Sequence, residues 1–442
     1  MDTADSTYQP PFWRRHRLAL ILAVSLVLCF LLRDRLSLGS ASPNRLRFVH
    51  SFTTASEREI VDSVVVEFQT AHPGYEIDQI VFNSETYQTI GWRLQFQGER
   101  QSDIFFTWQG FKTKQAIDAG WALDLTPFLS PGTVDQFVPA TVGRRDDRIY
   151  LLPQSVDLSN LIWYNRDWFA SNHLAEPTSR ADWLGLCQNI RSHGGLALVQ
   201  GNRDFWPMGN LGAELVGKTI GLDRLDQFFW GRTPATAETL QGLQLFVDLA
   251  KSGSLDLPLL LEPGSIGALN DLDAKVLFIA GKAAQHPIGS WFTADLKDAS
   301  TRGELRFTPG VFTVPANPGE KPARTAVITG YQVNSRTRHP KLAVEFLELL
   351  LSRKYQARFA ELGNLSGRRD ALEFTTDPIP RQLLGFLAQP AAMIPPPDTG
   401  YPPERAAIFY ELCSRLLLGR LDVASAAAQW NQQQLQLARK EP

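Results

Sequence analysis

The stretch from Gly212 to Thr219 reads GAELVGKT and matches the pattern of a phosphate-binding loop, in which backbone amides, a lysine and a hydroxyl hold nucleotide phosphates. Such a loop needs a buried strand directly before it and a flexible glycine-rich turn. Phe205 to Met208 does not resemble a strand, and Ala213 to Val216 favours a helix. We therefore interpret the match as a coincidence and expect Gly217 to end a helix.

Motifs for hydrolytic chemistry are absent from the sequence. There is no Gly-x-Ser-x-Gly nucleophile elbow and no His-Glu-x-x-His zinc helix, and the seven histidines lack the spacing of metal ligands. Two isolated carboxylates can still hydrolyse a glycoside, so an exported glycoside-acting enzyme stays an alternative. We predict no catalytic residues, no metal and no cofactor.

Length, composition and charge describe a folded chain with more than one core. The sequence has 442 residues, of which 44% are hydrophobic and 20% charged. Beyond residue 42 it carries 39 basic and 43 acidic side chains, a net charge of about −4, which offers no footprint for nucleic acid. Its 11 tryptophans are the side chains best suited to stack on the apolar face of a sugar ring.

The N-terminus carries an export signal at residues 1–43. Arg14 to Arg17 precede an uncharged apolar run from Leu18 to Leu32, and Arg33 to Arg35 closes it. Small residues from Gly39 to Ala41 offer a cleavage site, but the run can equally stay attached as a short membrane anchor. Both outcomes stay open, and both carry the rest of the chain out of the cytoplasm.

Three cysteines are present, and none indicates a disulfide framework. Cys29 follows Leu28, whereas lipidation needs a small residue before the cysteine. Cys187 and Cys413 are the other two thiols, and their separation in sequence does not decide whether they pair.

The segment from 46 to 108 alternates between strands and helices. Its predicted strands are Leu46 to Val49, Ile77 to Phe82, and Asp103 to Phe106 with an end at Trp108. Ser56 and Glu59 form a capping box for the first helix, and Tyr87, Ile90 and Leu94 share a face of the second. Such alternation predicts a parallel sheet covered by helices, with ligands beyond the carboxyl ends of its strands. Those ends carry His50, Ser51, Glu85, Tyr87, Trp108 and Gln109.

The stretch from Arg148 to Phe169 predicts a passage from one lobe to another. It reads RIYLLPQSVDLSNLIWYNRDWF. We expect a strand from Ile149 that stops at Pro153, a polar break from Gln154 to Asn160, and a second strand from Leu161 to Tyr164.

Several motifs, in this order, resemble the extracellular solute-binding proteins of ABC importers, the maltose-binding-like family. They are Glu67-Phe68 with His72 to Ile77, Asp103 to Trp108, Gly120 to Leu125, Tyr150 and Pro153 with Trp163 to Asn165, Pro177-Thr178, Gly281 to Trp291, Gly330-Tyr331, His339-Pro340 and Gly363 to Asp370. Ser102 and Ser366 stand where the family usually has proline, and Gln285 replaces a methionine. Pro287 within a strand predicts an edge position or a bulge.

The resemblance implies an α/β, two-lobed periplasmic-binding-protein fold of type II, maltose-binding-like, with a hinge and an inter-lobe ligand cleft. We expect residues 44–155 in lobe 1, 156–314 in lobe 2 and 315–362 back in lobe 1. Residues 363–442 would return to lobe 2 and supply C-terminal helices that pack on the hinge.

The resemblance also adds residues to the strand-end candidates for ligand binding. They are Asp157, Trp206, Ser290, Trp291, Gly330, Tyr331 and Arg368. Trp206, in a polar loop, is either a stacking aromatic or a core residue. Arg368 either binds a sugar hydroxyl or phosphate, or forms a salt bridge at the hinge.

The function that this family resemblance implies is capture of a sugar or sugar-like polyol for an ABC permease and its ATPase. We expect a monomer that is periplasmic or extracytoplasmic, with membrane contact through residues 18–32 if they are not cleaved, and with no nucleic-acid partner. A binding module of a membrane sensor is the alternative that an uncleaved anchor would permit.

The first prediction concerns the N-terminal segment. Because the family motifs begin after it, a fragment that starts at Pro43 should fold and bind solute alone. Soluble expression and circular dichroism of this fragment test the expectation. Insolubility of the fragment would mean that Leu18 to Leu32 belongs to the fold.

Overall fold

The computed structural model describes residues 44–97, 101–253 and 268–439. The predicted signal or anchor segment at 1–43 lies outside these residues, together with its apolar run and Cys29. Within the described ranges, no helix combines the length and the apolar character that crossing a membrane requires.

The strands of the described chain form two sheets. They are β1 (Arg45–His50), β2 (Glu76–Val81), β3 (Ile104–Trp108), β4 (Gly143–Arg145), β5 (Arg148–Leu158), β6 (Leu161–Asn165), β7 (Gln285–Ile288), β8 (Pro309–Thr313), β9 (Ala323–Val333) and β10 (Ala392–Ile394). The large sheet has the order β2-β1-β3-β9-β5-β4 with β10 beside β9, and the small sheet has the order β7-β6-β8. We call the part built on the large sheet lobe 1 and the part built on the small sheet lobe 2.

Helices cover both sheets. The α-helices are α1 (Ala55–Ala71), α2 (Ser84–Thr86), α3 (Trp92–Leu94), α4 (Phe111–Asp118), α5 (Arg166–Ser171), α6 (Arg180–Ser192), α7 (Trp206–Ile220), α8 (Leu222–Phe229), α9 (Gln244–Lys251), α10 (Asp271–Ile279), α11 (Phe292–Thr301), α12 (Pro340–Leu350), α13 (Arg353–Glu361), α14 (Pro378–Ala388), α15 (Pro397–Gly400), α16 (Pro403–Leu417) and α17 (Val423–Ala438). A π-helical turn spans Tyr87–Gly91, and 3₁₀ turns span Thr126–Phe128, Val134–Gln136, Pro139–Thr141, Gln241–Leu243 and Ala371–Glu373.

The large sheet is mixed, because β9 returns to it after lobe 2. β1 and β3 are parallel, whereas β9 runs antiparallel to both β3 and β5. The α/β alternation predicted for 46–108 is therefore confirmed, and the expected parallel pairing holds between β1 and β3. In the small sheet, β7 is an edge strand, and its Pro287 lies opposite Ile162 of β6. The edge position that Pro287 predicted for this strand is confirmed.

Each lobe packs around its own apolar core. In lobe 1, the Phe48 ring of β1 lies 5.2 Å from the Tyr331 ring of β9 and 4.9 Å from the Phe346 ring of α12. In lobe 2, the rings of Phe228 and Trp430 stack at 4.2 Å and join α8 to the C-terminal helix α17. Aromatic pairs at these distances add to the energy of apolar burial.

Strand β5 is a single strand of 11 residues that runs through Pro153. The prediction of a strand that stops at Pro153 and gives way to a polar break is wrong. Pro153 lies opposite Gly330 of β9, and the register shifts between Pro153 and Ser155, so a bulge accommodates the proline. Gln154 and Ser155 are buried despite their polarity, since they lie in this strand.

The first helix begins at a different cap from the one predicted. Thr54 is the N-cap of α1, and its hydroxyl and backbone N–H exchange hydrogen bonds with Glu57, each at 3.3 Å. Ser56 lies in the first turn, and its hydroxyl donates to Asp298 of α11. The predicted box of Ser56 and Glu59 is wrong, because the spacing Ser/Thr-x-x-Glu occurs at both positions and does not choose between them.

The helical segment at 84–94 buries a different face from the one predicted. Ile90 and Leu94 are 60% and 51% exposed, whereas Tyr87 and Trp92 are buried. The π-helical turn adds a residue to one turn, which rotates every side chain that follows it. The Tyr87 hydroxyl donates to the Phe106 carbonyl at 2.6 Å and so fixes the segment on β3.

The stretch from Gly212 to Thr219 lies inside α7, so it is not a phosphate loop. The helix continues to Ile220 and ends before Gly221, whose φ is 84°, so the expectation that Gly217 ends it is wrong. A Cβ on Gly217 would lie 2.1 Å from Cδ1 of Ile394, so this glycine lets β10 approach the helix.

Lys218, the lysine of that stretch, forms a buried ion pair beside two of the chain crossings between the lobes, from β5 to β6 and from β8 to β9. Its ammonium lies 2.5 Å from Oε1 of Glu214 and donates to the Val314 carbonyl at 3.1 Å. Oε2 of Glu214 accepts from Asn160 Nδ2 and from the Thr325 N–H, both at 2.9 Å. Asn160 lies between β5 and β6, Val314 directly follows β8, and Thr325 lies near the start of β9. One pair on α7 thus holds both crossings.

We expect Lys218→Ala to destabilise the protein by about 3 to 5 kcal/mol, because it leaves the Glu214 carboxylate buried without its cation. The matched control is Lys114→Ala, since Lys114 pairs with Asp118 at the same i,i+4 spacing on an exposed surface. The control should cost less than about 1 kcal/mol. Urea unfolding of both variants measures the difference, and equal losses would contradict a special role for the buried pair.

Candidate binding site

A cavity of about 240 Å³ lies between the two lobes. Lobe 1 contributes the loop after β1, the helical segment at 84–94 and the end of β3. Lobe 2 contributes the first turns of α7, α10 and α11. Pro396 and the short helix α15 that follows it complete the wall. The two lobes therefore enclose one shared space at the ends of strands β1 and β3, where the strand-end rule predicts a ligand.

Three tryptophans line the cavity: Trp108 of β3, Trp206 of α7, and Trp291 directly before α11. The ring centroids of Trp206 and Trp291 are 6.1 Å apart, with 50° between the ring planes. The Trp291 ring lies against Gly289, where a Cβ would come within 2.2 Å of a ring carbon. Trp206 and Trp291 are partly exposed and offer aromatic faces to a ligand with a flat apolar side, whereas Trp108 is buried.

Asp157 of β5 joins the lobes next to the cavity. Its carboxylate accepts from Ser155 Oγ at 2.5 Å and from Ser290 Oγ at 2.8 Å, and Ser290 belongs to lobe 2. Burial raises the pKa of Asp157 to about 6, and the two hydroxyl donors offset only part of that effect. At neutral pH this carboxylate is charged at a cost in free energy.

A chain of charges crosses the lobe 2 side of the cavity. The Lys275 ammonium lies 3.0 Å from Asp271 and 3.2 Å from Asp295. Burial works to lower the pKa of Lys275, but the two ion pairs outweigh it and raise that pKa. Burial raises the pKa of Asp295, and the Lys275 charge opposes the rise. In the described ranges, no group of three or more His, Cys, Asp or Glu is arranged to hold a metal ion.

Two further carboxylates face the cavity from other elements. Burial raises the pKa of Glu57, the capping residue of α1; the Thr54 hydrogen bonds oppose the rise, and the charge of Asp295 adds to it. Asp398 of α15 accepts from Gln88 Nε2 at 2.6 Å. Burial also raises the pKa of Asp398, and the hydrogen bonds with Gln88 and Tyr410 and the charge of Lys112 oppose this rise without balancing it.

Five of the predicted ligand residues line the cavity: Ser51, Trp108, Asp157, Trp206 and Trp291. They come from five separate places in the chain, namely the loop after β1, β3, β5, α7 and the turn before α11, and from both lobes. Trp206, predicted to be either a stacking aromatic or a core residue, packs partly buried against both apolar clusters of lobe 2 and also lines the cavity.

Three of the strand-end candidates in lobe 1 lie outside the cavity wall. His50 is buried between aromatic rings, and burial lowers its pKa to about 4. Tyr87 is buried on β3, and the Gln109 amide donates to the Ala140 carbonyl at 3.1 Å. Glu85 lies in α2, and its side chain is outside what the structure describes.

The remaining four candidates are buried. Ser290 and Tyr331 are fully buried, and Gly330 lies in the sheet, where a Cβ would come within 2.3 Å of the Leu152 carbonyl oxygen. The Arg368 guanidinium binds Asp370 at 2.9 Å and donates to Gln136 at 2.6 Å, which is the salt-bridge alternative. None of these four residues lines the cavity in the described chain.

Sequence reasoning missed most of the polar wall. The missed residues include Glu57, Gln88, Gln154, Asn210, Asp271, Lys275, Asp295 and Asp398. Glu57 was within reach of the strand-end rule, had the rule been extended to the first turn of the helix that follows each strand. The residues of α10, α11 and α15 carry no local signal, since only lobe packing brings those helices to the cavity.

Comparison with known proteins identifies the family. Residues 54–357 match the family model described as bacterial extracellular solute-binding protein. Two proteins of Pyrococcus horikoshii, each called an uncharacterized ABC transporter extracellular-binding protein, are both 22% identical to this chain. The first alignment covers 85% of each chain, and the second covers 71% of this chain and 70% of the relative.

Solved structures share the fold. A protein studied for xylan utilization in Caldanaerobius polysaccharolyticus matches with a TM-score of 0.76 and 18% identity, over 88% of this chain and 99% of that one. A maltose/maltodextrin-binding domain of Bdellovibrio bacteriovorus, bound to maltotriose, matches with a TM-score of 0.69 and 18% identity, over 89% and 100%. The fold is therefore the two-lobed α/β fold of type II, maltose-binding-like. The chain belongs to the family of bacterial extracellular solute-binding proteins.

Proposed function

We propose that this protein is the solute-binding component of an ABC importer and captures a sugar or sugar-like polyol in the cavity between its lobes. As a member of an extracellular family, it works outside the cytoplasm. The role in import is supported by the two Pyrococcus relatives, which are called ABC transporter extracellular-binding proteins. A permease with its ATPase would then receive the solute.

The observation that carries the sugar assignment is the pairing of tryptophan faces with buried polar atoms. Trp206 and Trp291 lie side by side in the wall, and a sugar ring has an apolar face that stacks on such rings. Gln154 Nε2, Asp271 Oδ1 and Asp398 Oδ1 are buried in the same wall without a hydrogen-bond partner among the described residues. Sugar hydroxyls both donate and accept, so they suit a wall that offers both an amide donor and carboxylate acceptors.

The lobes are joined at the cavity by polar contacts that a solute can supplement. Asp157 bonds Ser290, and Gln88 bonds Asp398, so each contact joins side chains that lie far apart in sequence. A solute with several hydroxyls would add further bonds between the lobes and favour the closed arrangement. We propose no catalytic role for the wall carboxylates, and we propose that residues 18–32, if uncleaved, tether the protein to the membrane.

A thermal-shift screen against neutral sugars and polyols tests the proposed function. A solute at 100 times its dissociation constant should add about 2.7 kcal/mol to the free energy of unfolding. Absence of any shift across the library, or turnover of an oligosaccharide during incubation, would overturn the assignment.

We expect Trp291→Ala to weaken solute binding at least about tenfold, which is about 1.4 kcal/mol. The melting temperature without solute should change little, because the Trp291 ring is half-buried at the cavity. The matched control is Trp163→Ala, since Trp163 is 0% exposed in the core of the same lobe and its truncation should cost about 3 to 5 kcal/mol. Strong loss of stability in Trp291→Ala with normal binding would make Trp291 a core residue.

The raised pKa of Asp157 predicts a pH-dependent stability. Its folded pKa of about 6 exceeds its ordinary 3.8, so protonation favours the folded state. This contribution is fully present below the ordinary pKa and is lost as the pH rises through about 6. Relative to Asp157→Asn, the native protein should therefore gain up to about 3 kcal/mol between neutral pH and about pH 4. Urea unfolding across this range checks the slope, and parallel profiles would contradict the raised pKa.

A further inference from the structure

The charge of the cavity wall is strongly unbalanced. Among the described residues that line it, one cationic side chain, Lys275, faces five carboxylates, which are Glu57, Asp157, Asp271, Asp295 and Asp398. Arginine and histidine are absent from this set. A cavity of this sign attracts cations and repels anions, since its low-dielectric walls concentrate the field.

The positive charge of Lys275 is already engaged by two of these carboxylates. It lies within 3.2 Å of Asp295 and 3.0 Å of Asp271, so this trio carries one negative charge in excess. His286 is buried nearby, but burial lowers its pKa to about 4 and keeps it neutral. The excess charge of the trio is therefore not balanced by a neighbouring histidine.

Asp271 shows where the missing partner would bind. The residue is 7% exposed, and its Oδ2 atom faces Lys275, whereas its Oδ1 atom has no hydrogen-bond partner among the described residues. A buried carboxylate oxygen without a donor is costly, so such atoms are nearly always paired in a functioning complex. Asp271 is one of the residues that line the cavity, so its unpaired oxygen belongs to the cavity wall.

Glu57 brings another negative charge to the same region from lobe 1. The Asp295 charge acts on Glu57 and disfavours its ionised form, so the two carboxylates repel each other across the cavity. Asp398 differs, because the ammonium of Lys112 lies near enough to stabilise its charge. The unbalanced part of the wall is therefore the group of Glu57, Asp271 and Asp295.

Hydroxyl groups and amines would satisfy this group to different extents. A sugar hydroxyl can donate to Asp271 Oδ1, but it leaves the excess charge and the repulsion between the lobes in place. A protonated amine donates the same hydrogen bond, neutralises the charge, and forms the stronger charge-assisted contact. The neighbouring faces of Trp206 and Trp291 favour a sugar ring and also attract a cation.

We propose that the solute is an amino sugar whose protonated amine lies between Glu57 of lobe 1 and Asp271 and Asp295 of lobe 2, while its ring stacks on the tryptophans. This inference rests on the proposed function, because it assumes that the cavity binds a sugar. It adds the charge of the solute and the place where that charge is recognised.

The test compares sugars that differ at one position. Cellobiose and maltose are each titrated by calorimetry beside the 2-amino-2-deoxy derivative and its uncharged N-acetyl form. We expect the amino form of at least one framework to bind at least about tenfold more tightly than both neutral forms, which is about 1.4 kcal/mol. High salt should reduce this preference, since part of it is electrostatic.

The outcomes separate this inference from the proposed function. Equal or tighter binding of the neutral forms would overturn the amino-sugar inference and leave sugar binding intact. Failure of all six compounds and of the wider carbohydrate screen would overturn both. Spermidine, which has the charge without the ring, serves as a control, and binding as tight as that of the amino sugars would identify a polyamine site and overturn both.

Variants locate the amine. Asp271→Asn keeps the size of the side chain but removes its charge, and it should bring the affinities of amino and hydroxyl forms to within a few-fold. Asp295→Asn, at a more exposed position, is the second variant in case the first fails to fold. Asp146→Asn removes the same charge from an exposed turn and should keep the full preference. If both cavity variants fold and retain the preference, these carboxylates do not recognise the amine.

Discussion

The buried ion pair between Glu214 and Lys218 is the constraint on which the two-lobed arrangement depends. The pair lies on one helix of lobe 2, and its hydrogen bonds reach Asn160 in the first crossing and Val314 and Thr325 in the second. Both members are almost completely removed from water, so every bond in the network must be present for the charges to be tolerated. The two crossings are thereby held at a fixed place relative to each other. Any movement of the lobes must occur around this place.

The contacts between the lobes have a different character from the contacts within them. Each lobe is held by apolar burial, as in the packing of Phe48 against Tyr331 and Phe346. Across the cavity the lobes meet through side-chain hydrogen bonds, such as those of Ser56 with Asp298 and of Gln88 with Asp398. Water can replace bonds of this kind at a net cost of about 1 kcal/mol each, whereas opening an apolar core costs far more. Side-chain hydrogen bonds therefore make up a larger part of the contact between the lobes at the cavity than of the contact within each lobe.

The polar wall shows how tertiary structure creates chemical specificity from ordinary residues. Asp271 and Lys275 on α10 form an i,i+4 ion pair of a kind that is common on exposed helices. Asp295 of α11 joins this pair through a second contact with Lys275. Glu57 is the capping residue of α1, and it also lines the cavity because α1 starts shortly after β1. The same side chain thus caps a helix and lines the cavity, since a helix that starts at the carboxyl end of a strand begins where ligands bind in α/β folds.

The sequence by itself determined the alternation of strands and helices in lobe 1 and the helical nature of the Gly212 to Thr219 stretch. The family resemblance added the return to lobe 1 after lobe 2 and the expectation of Trp291 at the cleft, and it left Trp206 open between the cleft and the core. These features depend on hydrophobic periodicity and on local motifs, which act over a few residues. Tertiary structure decided that β5 continues through Pro153, since only pairing with Gly330 of β9 makes that bulge favourable. It also decided which carboxylates line the cavity, because they come from elements far apart in the chain, such as α1 with Glu57 and α15 with Asp398. Hydrophobic periodicity indicates which face of a helix or strand is buried, but it does not indicate which charged residues from distant parts of the chain will lie beside that face.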